Sequence, residues 1–166
     1  SADTVTETRH QAYRSETVVA EGLEIPWAIA FLPDGRMLVT ERPGRLRVID
    51  AEGRLLPEPV AGTPPVVHHG QGGLMEVAPH PQYAENGWIY LGFSDGWYEN
   101  PDEKKNPRCL TAVVRGRIRD HRWVDQEWIY RADRSFYTSS GVHFGTRFVF
   151  ADGYIFFLVG DRGVWH

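Results

Sequence analysis

Three stretches of this chain repeat one arrangement of apolar and polar positions. In the first, Ala28-Ile29-Ala30-Phe31-Leu32 enters the turn Pro33-Asp34-Gly35-Arg36 and leaves through Met37-Leu38-Val39-Thr40-Glu41, with Gly44 to Asp50 following. The second runs from Leu74 to Pro81 and resumes from Gly87 to Asp95. The third runs from Thr146 to Ala151, turns at Asp152-Gly153, and continues from Tyr154 to Asp161. Each reads as a short strand, a turn rich in Pro, Asp or Gly, and a more apolar strand. Asp34-Gly35 and Asp152-Gly153 are hairpin turns of the kind that needs positive φ.

Equivalent positions Leu38, Ile89 and Ile155 are spaced by about 50 and then 66 residues, a period that predicts β-propeller blades, one meander per unit. The strand after each turn is predicted to be buried between neighbouring blades. Leu110–Ile118 alternates apolar and polar residues and is predicted to be an outer, half-exposed strand. Asp120–Gln126 then reads as a turn, and Glu127–Arg131 as the opening of the next blade. No stretch carries a convincing helical stripe, apart from one turn near residues 101–106. A propeller closes with at least four blades, whereas about two repeats and the start of a third are present. The stack is therefore expected to expose an apolar face at each end. Residues 1–17 are expected to form an N-terminal extension and 18–166 a partial propeller, the N-terminal part of a longer protein.

Composition agrees with an all-β reading. Six Trp, seven Tyr and eight Phe lie among 17 Gly and 11 Pro, a mixture suited to short strands and tight turns. A net charge of −4 without a Lys/Arg stripe argues against nucleic acid as a partner. No apolar run approaches the roughly 20 residues that span a bilayer. The first residue is Ser1, as expected of a processed or trimmed chain. Cys109 is alone, so it forms no intrachain disulfide, and it reads as a half-exposed structural thiol at a strand start.

The candidate chemistry lies in three short motifs. These are Ile25-Pro26-Trp27 leading to Asp34-Gly35, Gly70-Gln71-Gly72-Gly73 leading to His80-Pro81, and Gly141-Val142-His143-Phe144-Gly145-Thr146-Arg147. Gly160-Asp161-Arg162-Gly163 completes the set. Singly each is weak. In this order and spacing they resemble the soluble PQQ-dependent sugar dehydrogenases, the glucose/sorbosone dehydrogenase family that includes aldose sugar dehydrogenases, from about residue 18 to the end of the chain. The resemblance implies a six-bladed β-propeller, of which this chain covers the first two to three blades. It also implies oxidation of an aldose at C1 to the lactone, with hydride passing to PQQ and electrons to an external acceptor, in a periplasmic or secreted protein.

By the same resemblance His143 is the general base and Asp161 its orienting partner. An imidazole changes charge near neutral pH and suits removal of a hydroxyl proton, and a carboxylate can fix its tautomer. His143 and Gln71 are implied contacts of PQQ, Gln71 reaching either the quinone or the sugar, with glycines that admit close approach of a ligand. The Ca2+ ligands and the basic clamp for the PQQ carboxylates are expected beyond residue 166. A segment of this length alone is expected to be inactive.

Other candidates are weaker. His68 and His69 with His80 suggest a metal site, but adjacent residues on an extended segment face opposite ways, and no carboxylate or thiol completes the set. Arg147 and Arg162 could attract an acidic cofactor or form surface ion pairs. Asp95–Asn100 reads as a long loop that shapes access or covers an edge. A non-catalytic propeller that binds a protein or glycan remains the alternative. A lactonase-like hydrolase would need an axial metal for which no ligand set is visible.

Overall fold

The computed structural model describes residues 4–7, 9, 11–15 and 21–163. Of the expected extension over residues 1–17, it describes a two-stranded antiparallel hairpin, β1 (Thr4–Glu7) and β2 (Ala12–Ser15). Residues 16–20 and 164–166 lie outside the described residues.

The rest is a stack of three antiparallel sheets. The first holds β3 (Pro26–Phe31), β4 (Met37–Glu41) and β5 (Arg45–Ile49) in chain order. The second holds β6 (Leu74–Pro79), β7 (Ile89–Asn100), β8 (Lys105–Arg119) and β9 (Arg122–Tyr130), again in order. The third is the hairpin of β10 (Gly145–Ala151) and β11 (Tyr154–Val159). Its turn is Asp152-Gly153, with φ of 50° and 80°, the double positive φ of a two-residue hairpin turn. Sequential up-and-down sheets stacked face to face are propeller blades.

Packing follows from the two-residue period of a strand. On β7, Ile89, Leu91 and Phe93 face the first blade, where they join Ala28, Ala30, Leu38, Leu46 and Val48 in one buried cluster. Tyr90 points the other way and meets Phe148, Phe150 and Phe157 of the third sheet. With both faces covered, β7 reads as a continuous apolar run. One buried hydroxyl ties the first two blades: Thr40 Oγ1 accepts from Ala28 N at 3.1 Å and donates to Met75 O at 2.5 Å.

Several expectations need correction. Arg122–Tyr130 is one continuous strand, the outermost of the second sheet; the turn is confined to Asp120 and His121, and no new blade opens at Glu127. Charged residues suggested a turn, but an outer strand exposes one face to water and tolerates them. β8 is correspondingly an interior strand, and Cys109 to Val114 are buried. Cys109 is therefore fully buried within β8 rather than half-exposed at its start. Asp95–Asn100 is not a loop: β7 and β8 stay paired as far as Asn100 with Lys105. The helical turn lies at α1 (Tyr83–Asn86), closed by a left-handed Gly87, and residues 101–104 form the tip of the β7–β8 hairpin.

The two ends of the stack expose apolar side chains, as an open propeller requires. On β3, Trp27, Ile29 and Phe31 face water. On the last sheet Val149, Tyr154, Phe156 and Leu158 do so. β11 is therefore covered on one face, unlike β4 and β7.

Candidate active site

At one end of the stack three loops meet: residues 68–73 before β6, residues 138–144 before β10, and residues 160–163 after β11. The hairpin register explains why His143 and Asp161 meet here. Gly145 pairs with Val159, so the residues just before β10 and just after β11 emerge at the same edge.

His143 Nδ1 lies 2.7 Å from Asp161 Oδ1. The two side chains are 56% and 61% exposed, so the pair faces solvent. Asp161 Oδ1 also accepts from Gly163 N at 2.8 Å. The Gly163 N–H, followed by the His143 hydrogen bond, holds the Asp161 carboxyl below the usual carboxylate range. Ionised Asp161 is an acceptor only, so Nδ1 carries the proton, and in the neutral ring Nε2 holds the lone pair.

Gln71 belongs to the same cluster, with its oxygen turned toward protein. Its Oε1 accepts from His143 N at 2.9 Å, and its backbone N donates to Gly141 O at 2.7 Å. Together these bonds hold the His143 loop while His143 sits at φ 53°, a conformation that costs a residue with a Cβ about 1–3 kcal/mol. Two glycines of these loops, Gly70 and Gly160, pack directly against protein backbone. A Cβ at Gly70 would lie 2.2 Å from Gly141 O. A Cβ at Gly160 would lie 1.9 Å from His143 O. Both loops pack against the backbone of the His143 loop only because neither position carries a side chain.

The remaining candidates separate. Arg147 Nη1 pairs with Glu76 at 2.9 Å between β10 and β6; burial pushes the Glu76 carboxyl upward and Arg147 opposes it. Arg162 is buried and forms none of the recorded ion pairs among the described residues. His69 Nε2 meets Ser139 O at 3.2 Å, His68 Nε2 lies 3.4 Å from Arg42, and His80 packs beside Tyr90 and Asn86 near α1. Among the described residues no group of three His, Cys, Asp or Glu is arranged to hold a metal.

Sequence reasoning passed over two neighbours of the site. Phe144 is buried with Val67, Met75 and Cys109 under the His143 loop. Tyr137 donates to Asp95, which also accepts from Arg131 at 2.8 Å, and desolvation with that bond raises the Tyr137 hydroxyl to about 12. Reading 95–100 as a loop hid the second cluster. A polar residue inside a paired strand was the available signal.

Blades of antiparallel strands with a solvent-facing His–Asp pair on the loops at one end define a β-propeller that presents polar groups on loops over a rigid scaffold. Residues 23–165 match the family model described as Glucose / Sorbosone dehydrogenase, and the chain belongs to that family. The aldose sugar dehydrogenase YliI of Escherichia coli is 40% identical over 149 residues, covering 87% of this chain and 38% of that protein. A glucose dehydrogenase crystal structure superposes with a TM-score of 0.74 at 38% identity, covering 86% of this chain and 40% of that one. The PQQ-bound aldose sugar dehydrogenase of Streptomyces coelicolor, at 24% identity, shares the fold with a TM-score of 0.70 over 98% of this chain and 43% of its own. More distantly, the mouse Hedgehog-interacting protein is 26% identical over 165 residues. The chain thus spans well under half the length of the relatives it matches.

Proposed function

We propose that this chain carries the proton-accepting part of a PQQ-dependent aldose dehydrogenase, which oxidises the sugar at C1 to the lactone and passes electrons to an external acceptor. The observation that carries this reading is the 2.7 Å contact between His143 Nδ1 and Asp161. It leaves Nε2 as a lone-pair base on a half-exposed ring, in a family whose named relatives oxidise sugars.

PQQ, when bound, supplies the hydride acceptor. The residues present fit one side of such a group: the His143 imidazole and the Gln71 amide nitrogen are free to face a polar ring edge. They do not supply the carboxylate clamp. Arg42 donates to Gly70 O, Arg147 to Glu76, and Arg162 to backbone carbonyls, so each is committed to protein. No described ligand set fits Ca2+, and no step is assigned to it.

The residues here act on a proton. Nε2 accepts the hydrogen of the sugar C1 hydroxyl as hydride leaves C1, and charge builds on the imidazole ring. Asp161, ionised and one hydrogen bond away, stabilises that charge and prevents the ring from turning. Gln71 fixes the backbone on which the ring is mounted. Export to the periplasm belongs to the same reading, and cell fractionation checks it.

The test is His143→Ala in the whole polypeptide reconstituted with PQQ and Ca2+. Loss of a general base lowers dye-linked sugar oxidation by about 10²–10⁴-fold, while PQQ still changes its visible absorbance on binding. Full activity in the variant would refute the role. The likeness to a Hedgehog-interacting protein supports one second reading, a propeller that binds a protein without catalysis. An absence of any PQQ absorbance change in the wild-type protein would favour it.

A further inference from the structure

Beneath the His143 loop lies an arginine whose partners are unusual for a buried cation. Arg162 is 3% exposed. Its Nε donates to Val142 O at 2.9 Å, Nη1 to Cys109 O at 2.9 Å, and Nη2 to Ser140 O, with Cys109 Sγ at 3.7 Å. The guanidinium carbon lies 3.7 Å from the centre of the Phe144 ring. In return Ser140 Oγ donates to Arg162 O at 2.5 Å. Among the described residues none of the recorded ion pairs involves Arg162, so carbonyl dipoles and an aromatic face compensate its charge.

Those carbonyls belong to the parts that must stay in register for the His–Asp pair to exist. Ser140 and Val142 precede His143 in its loop, Cys109 belongs to the rigid strand β8, and Arg162 follows Asp161 directly. The fork therefore ties the loop of the base and the loop of its carboxylate to one strand. Both His143 and Arg162 hold left-handed φ, 53° and 61°, a strained state that persists only where its surroundings over-determine it. A guanidinium is suited to the task because it presents five donors in a fixed plane and stays charged when buried.

We infer that Arg162 is the positioning residue of the His143–Asp161 pair: it touches neither sugar nor cofactor and sets the geometry in which Nδ1 meets the carboxylate. The inference rests on the reading of His143 as the base, and its test separates the two. Arg162→Met keeps length and apolar bulk over Phe144 and removes all five donors; Arg162→Lys keeps the charge but not the fork. Histidine-selective ¹⁵N NMR of the whole polypeptide reports the hydrogen-bonded Nδ1–H of His143, independently of PQQ or turnover. The expected result is loss of that downfield proton in both variants. Sugar oxidation then falls in kcat by at least about tenfold with KM within threefold, and added guanidinium restores part of kcat in Arg162→Met. Retention of the Nδ1–H signal and of kcat in either folded variant would overturn the inference. If Arg162→Met does not fold, Arg162→Lys decides by the same two readings. A wild-type protein that oxidises no sugar would remove the reading of His143 as base, while the NMR result would still decide whether Arg162 holds the pair.

Discussion

Along the seam between the first two blades, Leu38, Leu46, Leu91 and Phe93 lose all contact with water, and what joins the sheets is mainly apolar area, with the Thr40 hydroxyl and a backbone bond from Leu74 N to Arg42 O beside it. At the loops around His143 the His143 and Asp161 side chains are more than half exposed, and what joins the segments is hydrogen bonds: Gln71 to His143 N, Asp161 to Nδ1, and buried Arg162 to Val142 and Cys109. A fully buried Phe or Leu side chain contributes about 1.5–3 kcal/mol without directional demand. A net hydrogen bond contributes about 1 kcal/mol and fails if the donor moves. Stability of the stack and precision of the site are thus held by different forces. Substitutions should separate them.

The largest separation is expected from Phe93→Ala. It leaves a cavity in the seam and should cost about 3–5 kcal/mol of unfolding free energy, measured by denaturant titration. The His143 Nδ1–H signal should be unchanged in the molecules that remain folded. A loss of that signal at low denaturant would show that seam and site are coupled. Gly160→Ala should do the reverse. Its Cβ would sit 1.9 Å from His143 O, so the loop must shift, at about 1–3 kcal/mol. The His143–Asp161 contact is expected to be lost even well below the midpoint; a crystal structure of the variant with that contact intact would contradict it.

Acid should act on the site as well as on the buried Glu41 of β4, whose carboxyl, despite its burial, is likewise held low by its hydrogen bonds and by Arg45. The Asp161 carboxyl is held below its ordinary value, so whatever it contributes is present above the unfolded carboxylate pKa, near 3.9. That contribution is lost as pH falls through the lower folded value. Carboxyl ¹³C titration should show Asp161 protonating below the ordinary aspartate value of about 3.9. The smallest effect belongs to the open end of the stack. Phe31 is 70% exposed, so Phe31→Ser should shift stability of this chain by no more than about 0.5 kcal/mol. A much larger loss in the whole polypeptide would identify that face as covered there.

Much of the fold was legible because its causes are local. Asp152-Gly153 can only be a tight hairpin turn between two apolar runs, and the recurrence of that unit points to stacked blades. The errors arose where burial depends on neighbours distant in sequence. Asp120–Gln126 carries enough charge to read as a turn before a new blade, and only the pairing of Arg115 with Glu127 and of Ile118 with Trp123 shows Arg122–Tyr130 as one outer strand of the same sheet. Cys109 read as the start of a strand, yet Tyr98 is paired with Pro107 and Cys109 lies in the buried interior of β8.

For the site, sequence alone could nominate His143, Asp161 and Gln71, because Gly-flanked polar residues at strand ends in a matching order carry that information. It could not assign their contacts. That Gln71 directs its oxygen to the backbone of His143, that its flanking glycine admits a neighbouring loop, and that Arg162 turns inward while Arg147 turns out to Glu76 depend on how three loops distant in sequence converge. Periodicity and turn chemistry act within a few residues and were written in the chain. Which carbonyl a guanidinium finds is settled only when the blades have stacked and brought the loops together.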